Sequence, residues 1–170
     1  MKQPILWLLL GLSASLAAAP SFFMPDETDD ALYQLETLID SAQKHLLIIT
    51  PELDKALWDR PLGRAAARGI TVTLVTTGEE SDGGTALVRF KGIDYRNVSG
   101  LQSPSRSGLL AMTLLIVDDT AVCTTALPLL RSHFEHDLGV LECYGDAESL
   151  LRYNSYAERI LARSKAYLQP

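Results

Sequence analysis

Leu114-Leu115-Ile116-Val117-Asp118-Asp119-Thr120-Ala121-Val122 is the stretch on which the reading of this chain turns. The residues from Leu109 to Val117 form a strong apolar strand. Asp118-Asp119 is ordinary turn chemistry. Thr120 to Thr125 then returns as a second strand. A hairpin this apolar needs neighbours, and the sequence supplies them on both sides.

Upstream, Ala31, Leu32, Leu35, Leu38, Ile39 and Ala42 recur at steps of three and four, which predicts an amphipathic helix over Glu27 to Lys44 with Thr28 as its cap. His45-Leu-Leu-Ile-Ile-Thr50 reads as a buried strand ended by Pro51. Leu53 to Arg68 reads as a helix, interrupted at Pro61 and Gly63 and stopped by Gly69. Thr71 to Thr76 is a β-branched strand, and Ile93 to Val98 a weaker one. Between them lie a polar loop, Thr77 to Gly84, and a short helix over Ala86 to Lys91. Ser99 to Gly108 is a Ser/Gly loop. Downstream, Leu138 to Tyr144 is a strand, and Asp146 caps a final helix running to about Tyr167. With no repeat and no linker, this alternation predicts one α/β domain.

Composition agrees. The 170 residues are 47% apolar and 21% charged, which suits a single globular core and excludes disorder, collagen-like repeats and a disulfide-dense scaffold. The formal charge of −6 argues against a generic grip on nucleic acid or anionic lipid. At the N-terminus, Lys2, the apolar run Ile5 to Leu16 and Ala17-Ala18-Ala19 have the form of a secretory signal over residues 1–19, cut between about 18 and 21. The run is too short for a comfortable membrane span. Removing it takes Lys2 away and moves the charge from −6 to −7. Export to the periplasm or the medium is the expectation, with no stable membrane span after cleavage.

Three segments carry a family resemblance: Ala66-Ala-Arg-Gly-Ile-Thr-Val72 after its helix, the hairpin Leu114 to Val122, and Glu135-His-Asp-Leu-Gly-Val-Leu141 before a C-terminal helix. Together they resemble the phospholipase D superfamily, in particular its small single-domain exported members, among them bacterial endonucleases that dimerise. The resemblance covers roughly Glu27 to Lys165, within a domain placed at 27–168. It implies a mixed β-sheet flanked by helices on both faces.

It also implies a signature, His-x-Lys-x4-Asp. In that chemistry the His attacks phosphorus and the Lys holds the phosphate oxygens. A second motif's His protonates the leaving group. Here Asp118 matches the Asp, Thr113 falls at the Lys and Ala111 at the His. Thr125-Ala126-Leu127-Pro128 stands where the family has Gly-Ser-x-Asn, and Asp137 falls near its orienting acid. Ala111 has no lone pair and Thr113 no charge, and losing a nucleophile costs on the order of 10⁶ in turnover. The expectation is a dismantled active site in which only Asp118 and Asp137 persist. The module then serves binding or scaffolding, as a homodimer, with an unidentified protein partner, or beside an intact homologue.

The alternative is a phosphodiesterase, nuclease or phospholipase with rearranged residues, resting on His133-Phe-Glu-His136-Asp137. That cluster has three readings: a relocated nucleophile, a metal site, or a polar loop between two strands. Its spacing matches no zinc-protease motif. No Gly-x-Ser-x-Gly elbow exists, and neither glycine-rich loop has a phosphate-cradling pattern, so no cofactor is implied. His45 reads as a strand-edge residue. Arg89, Lys91, Arg96 and Arg106 read as a solvated face. For Cys123 and Cys143 the resemblance sets Ala126 near Asp137, so Cys123 faces about Val140. That offset favours two buried free thiols over a bridge.

Overall fold

In the computed structural model the described residues are 19–76, 92–98 and 112–166. They form an eight-stranded mixed sheet with helices on both faces. In chain order the elements are β1 (Ser21–Met24), α1 (Thr28–Ser41), β2 (His45–Ile49), α2 (Lys55–Ala67), β3 (Thr71–Thr76), β4 (Ile93–Asn97), β5 (Thr113–Val117), β6 (Ala121–Thr125), α3 (Arg131–His136), β7 (Gly139–Tyr144), α4 (Ala147–Leu161) and β8 (Lys165–Ala166). The strand order is β1-β7-β6-β5-β2-β3-β4-β8. β2, β3 and β4 are parallel to one another, and the other pairings are antiparallel.

Strand alternation divides the core into two layers. Leu46, Ile48, Val72, Leu74, Leu115 and Val117 meet Ala31, Leu35, Ile39, Trp58, Leu62 and Ala65 of α1 and α2, together with Phe134 of α3. Ile49, Val75, Leu114, Ile116 and Val122 meet Ala157 and Ile160 of α4. The central strands therefore carry apolar residues at consecutive positions, because both of their faces are covered. That is why β5 is buried from end to end.

Several expectations give way to packing. α2 runs unbroken through Pro61. Trp58, Leu62 and Ala65 bury one face, and this compensates for a proline that costs about 3 kcal/mol in a helix interior. Thr28 does not cap α1. Its hydroxyl donates to the carbonyl of Phe134, with that of Pro25 2.9 Å away, and so ties α1 to α3. Asp146 does cap α4, accepting from the Ser149 amide. That helix stops at Leu161, short of Tyr167, and Lys165–Ala166 pairs with β4. β1 is a strand with no counterpart in the sequence reading. His133 to Asp137 is helix α3 and its C-terminal cap, not a loop. The helix expected over Ala86 to Lys91, residues 1–18 of the signal, and Ala111 lie outside the described residues.

The cysteines are the clearest correction. Cys123 and Cys143 are bonded, with Cα atoms 4.0 Å apart. Asp137 is not on β7 at all. α3 ends there and the strand begins at Gly139, so Thr125 pairs with Leu141 and Cys123 with Cys143. The offset of three residues came from placing Asp137 in the strand.

Candidate functional site

Four apolar strands end in threonine at one end of the sheet. Thr50 follows β2, Thr76 ends β3, Thr113 opens β5 and Thr125 ends β6. Parallel and antiparallel pairing bring the four into a row across neighbouring strands, on the face that carries α1 and α2. All are buried, Thr113 at 2% exposure. Buried hydroxyls need partners, and these have them. Thr113 Oγ1 donates to the Leu127 carbonyl at 2.7 Å and lies 3.1 Å from Thr50 Oγ1. Thr50 Oγ1 donates to the Glu52 carbonyl at 2.8 Å and accepts from the Leu129 amide at 3.2 Å. Thr125 Oγ1 accepts from the Leu127 amide, and Thr76 pairs with the Tyr95 hydroxyl at 2.7 Å.

The row holds down the connection that follows β6. Leu127 and Leu129 are fixed by Thr113, Thr50 and Thr125, and the Leu129 carbonyl also accepts from Trp58 Nε1 at 2.8 Å. This connection includes Ala126 and Pro128, where the resemblance placed a polar phosphate pocket. The residues there are apolar and the hydroxyls beneath them are committed to the backbone. The row has no charge to hold a phosphate and no base to activate a hydroxyl.

The two acids do not share this end. Asp118 follows the last residue of β5, roughly 16 Å along the strand from Thr113 at about 3.3 Å per residue. Its carboxylate accepts from the amides of Gln43 at 2.6 Å, Lys44 at 2.8 Å and His45 at 2.8 Å. Partial burial pushes its pKa up, and the three amides outweigh that and hold it below the ordinary carboxylate value. Asp118 and Asp119 both have positive φ, 49° and 56°, which acidic residues tolerate in a tight turn. His45 lies at this same far end, its Nε2 3.4 Å from Asp119. The expectation that Asp118 and Asp137 together line the old pocket is therefore corrected: Asp118 ties the α1–β2 connection to the hairpin.

Asp137 does lie at the threonine end, four residues before Leu141, the partner of Thr125. Its carboxylate meets His133 Nδ1 at 2.5 Å, an i,i+4 pair with both side chains half-exposed. His136 is exposed on the same helix. Among the described residues no group of three His, Cys, Asp or Glu side chains is arranged to hold a metal. A surface pocket of about 330 Å³ beside α3 is lined by Asp26, Glu27, Asp29, Asp30 and Glu135, with Arg131 paired to Glu135. That lining repels an anion. The sequence reading missed the threonine row, whose signal was the repeated ending Ile-Thr50, Val-Thr76 and Thr-Thr125.

No family model matches the chain, and no curated relative matches it. Solved structures do. The chain is similar to NucT from Helicobacter pylori, at 23% identity over 88% of this chain and 98% of that one, with a TM-score of 0.76. It is similar to Nuc from Salmonella typhimurium, a phospholipase D family member, at 15% identity over 89% and 99%, with a TM-score of 0.69. It is similar to TrmBL2, an archaeal chromatin protein with a novel mode of DNA binding, at 10% identity over 94% and 57%, with a TM-score of 0.64. What these likenesses share with the chain is the fold: a phospholipase D-like sheet with helices on both faces.

Proposed function

We propose that this chain is an exported member of the phospholipase D superfamily whose active site is dismantled, and that it acts as a binding or scaffolding module. The observation that carries the reading is Thr113. At the position of the motif's Lys it is buried, uncharged, and has given its hydroxyl to the Leu127 carbonyl. The commitment of Asp118 to three backbone amides adds to it, since that acid contributes nothing to a phosphate pocket. Export is supported by the apolar N-terminal run and by a buried disulfide, a bond that persists in oxidising compartments. No helix among the described residues is long and apolar enough to cross a membrane. The occupant of the module is a protein, either a second copy or another chain. A net charge of −7 after signal removal disfavours nucleic acid, whatever the fold's other bearers bind.

One observation favours a second reading, a phosphodiesterase with rearranged residues. Asp137 engages His133 Nδ1, which fixes the imidazole with Nε2 free to act as nucleophile or base. The exported protein is therefore assayed against bis(p-nitrophenyl) phosphate and against single- and double-stranded DNA. The expected result is no turnover above the blank. Turnover abolished by His133→Ala, with folding intact by circular dichroism, would establish the second reading and overturn the first.

A further inference from the structure

The disulfide takes no part in the threonine row, and its place in the topology gives it another role. β7 is held in the sheet between β6 on one side and β1 on the other, and β1 is the edge. The β6–β7 seam therefore carries a two-strand margin. Cys123 and Cys143 face each other across that seam, buried beneath the helical layer. The Cys143 amide points the other way and donates to the Pro20 carbonyl just before β1. One face of the margin is covered, with Met24 and Leu141 buried there. The opposite face is covered only at its end, where Tyr144 stacks on Tyr153 of α4, and Phe23 and its partner Val140 are exposed on it. The central strands β2, β3 and β5 have both faces covered. Opening is less costly where buried apolar contact is less, and the β1–β7 margin has less of it than the central strands.

We propose that the Cys123–Cys143 bond is a redox latch on this margin. Oxidised, it keeps β7 and β1 on the sheet; reduced, it lets them part while β5, β2 and β3 stay folded. The exchange balances with a dithiol. Its thiolate attacks one cysteine sulfur and breaks the S–S bond to give a mixed disulfide. The other cysteine leaves in that step as a thiolate, and the dithiol's second thiol then displaces the attacked cysteine from the mixed disulfide. Both cysteines leave as thiols and the dithiol leaves as a cyclic disulfide. A disulfide-bearing oxidant runs the sequence backwards. Because both sulfurs are covered, the margin must open before a thiolate reaches them, so reduction of the native protein is slow.

The test is hydrogen exchange read by mass spectrometry on the whole exported protein, oxidised and after dithiothreitol, and on the double variant Cys123→Ala/Cys143→Ala. Peptides covering Ser21–Met24 and Gly139–Tyr144 are expected to exchange roughly a hundredfold faster without the bond, the order set by a cross-link closing a loop of this size. Peptides covering His45–Ile49 and Thr71–Thr76 keep their protection. Unchanged exchange at the margin overturns the latch. So does equal acceleration of every strand, which would make the bond a global staple. Should the double variant fail to fold, the reduced wild-type protein gives the deciding measurement. The outcome is independent of whether the protein has catalytic activity.

Discussion

Asp118 shows a carboxylate given over to holding backbone. Three amides converge on one carboxylate, and Asp118→Ala would leave all three without it. The expected loss is about 2–3 kcal/mol in urea unfolding, since charged hydrogen bonds contribute more than neutral ones. Asp118→Asn keeps an acceptor and tolerates the positive φ, so it should lose less. The sign of the pH dependence follows from the lowered pKa. The folded value lies below the ordinary 3.8, so the contribution is fully present above 3.8 and disappears as pH falls through the folded value. Unfolding midpoints measured from pH 6 down to pH 2 should fall more steeply in wild type than in Asp118→Asn, where the lowered pKa of Asp146 still contributes. A parallel fall in Asp118→Asn would remove Asp118 as the cause.

Thr113 makes the complementary point at the same scale. Thr113→Lys supplies the residue type that the proposed reading finds missing, yet it would put an ammonium into a site 2% exposed, among hydroxyls already bonded. An unpaired buried charge costs several kcal/mol, so this variant should unfold at much lower urea than Thr113→Val. If Thr113→Lys folds as stably as wild type, the site is open, and the dismantled reading loses its main support.

At the scale of elements, the threonine row shows what spacing alone conceals. Each strand ending is visible in the sequence, but which ends share a side depends on strand direction. β2 and β3 run parallel, and β5 runs against them, so the start of one strand meets the ends of two others. The connection from β6 to β7 depends on a similar detail. A Cβ built on Gly139 would lie 2.8 Å from the Leu127 side chain, which is itself buried. Gly139→Ala should therefore force Leu127 to shift and cost about 1–3 kcal/mol, measurable as a lowered unfolding midpoint. A neutral result would mean the connection moves freely, against the four side-chain hydrogen bonds that hold its backbone. α2 illustrates the opposite case. Pro61 is a strong local stop signal, and the packing of Trp58, Leu62 and Ala65 overrides it.

At the scale of the whole molecule, the hairpin from β5 to β6 lies at the centre of the sheet and joins its two halves. In the parallel half, β2 and β3 were readable because each is a short apolar or β-branched run beside a helix period, while β4, Ile-Asp-Tyr-Arg-Asn, gave a weaker signal. The antiparallel margin was not readable. β1 is four residues long, begins just after the alanines and Pro20 that follow the apolar run, and has no alternation long enough to register. The distance between the two acids belongs to this scale as well. In sequence Asp118 and Asp137 look like the remnants of one site. In space they serve opposite ends of the sheet, one bonded to amides and the other to His133.

The sequence by itself determined the α/β class and most central elements, because apolar periodicity is a local property. Only the tertiary structure decided how their ends come together. Strand direction gathers four threonines into one buried row, the two-residue gap between α3 and β7 brings Cys123 opposite Cys143, and chain reversal separates the two acids. Each depends on register, and register is fixed by which faces are buried across the whole sheet rather than by any one stretch of chain.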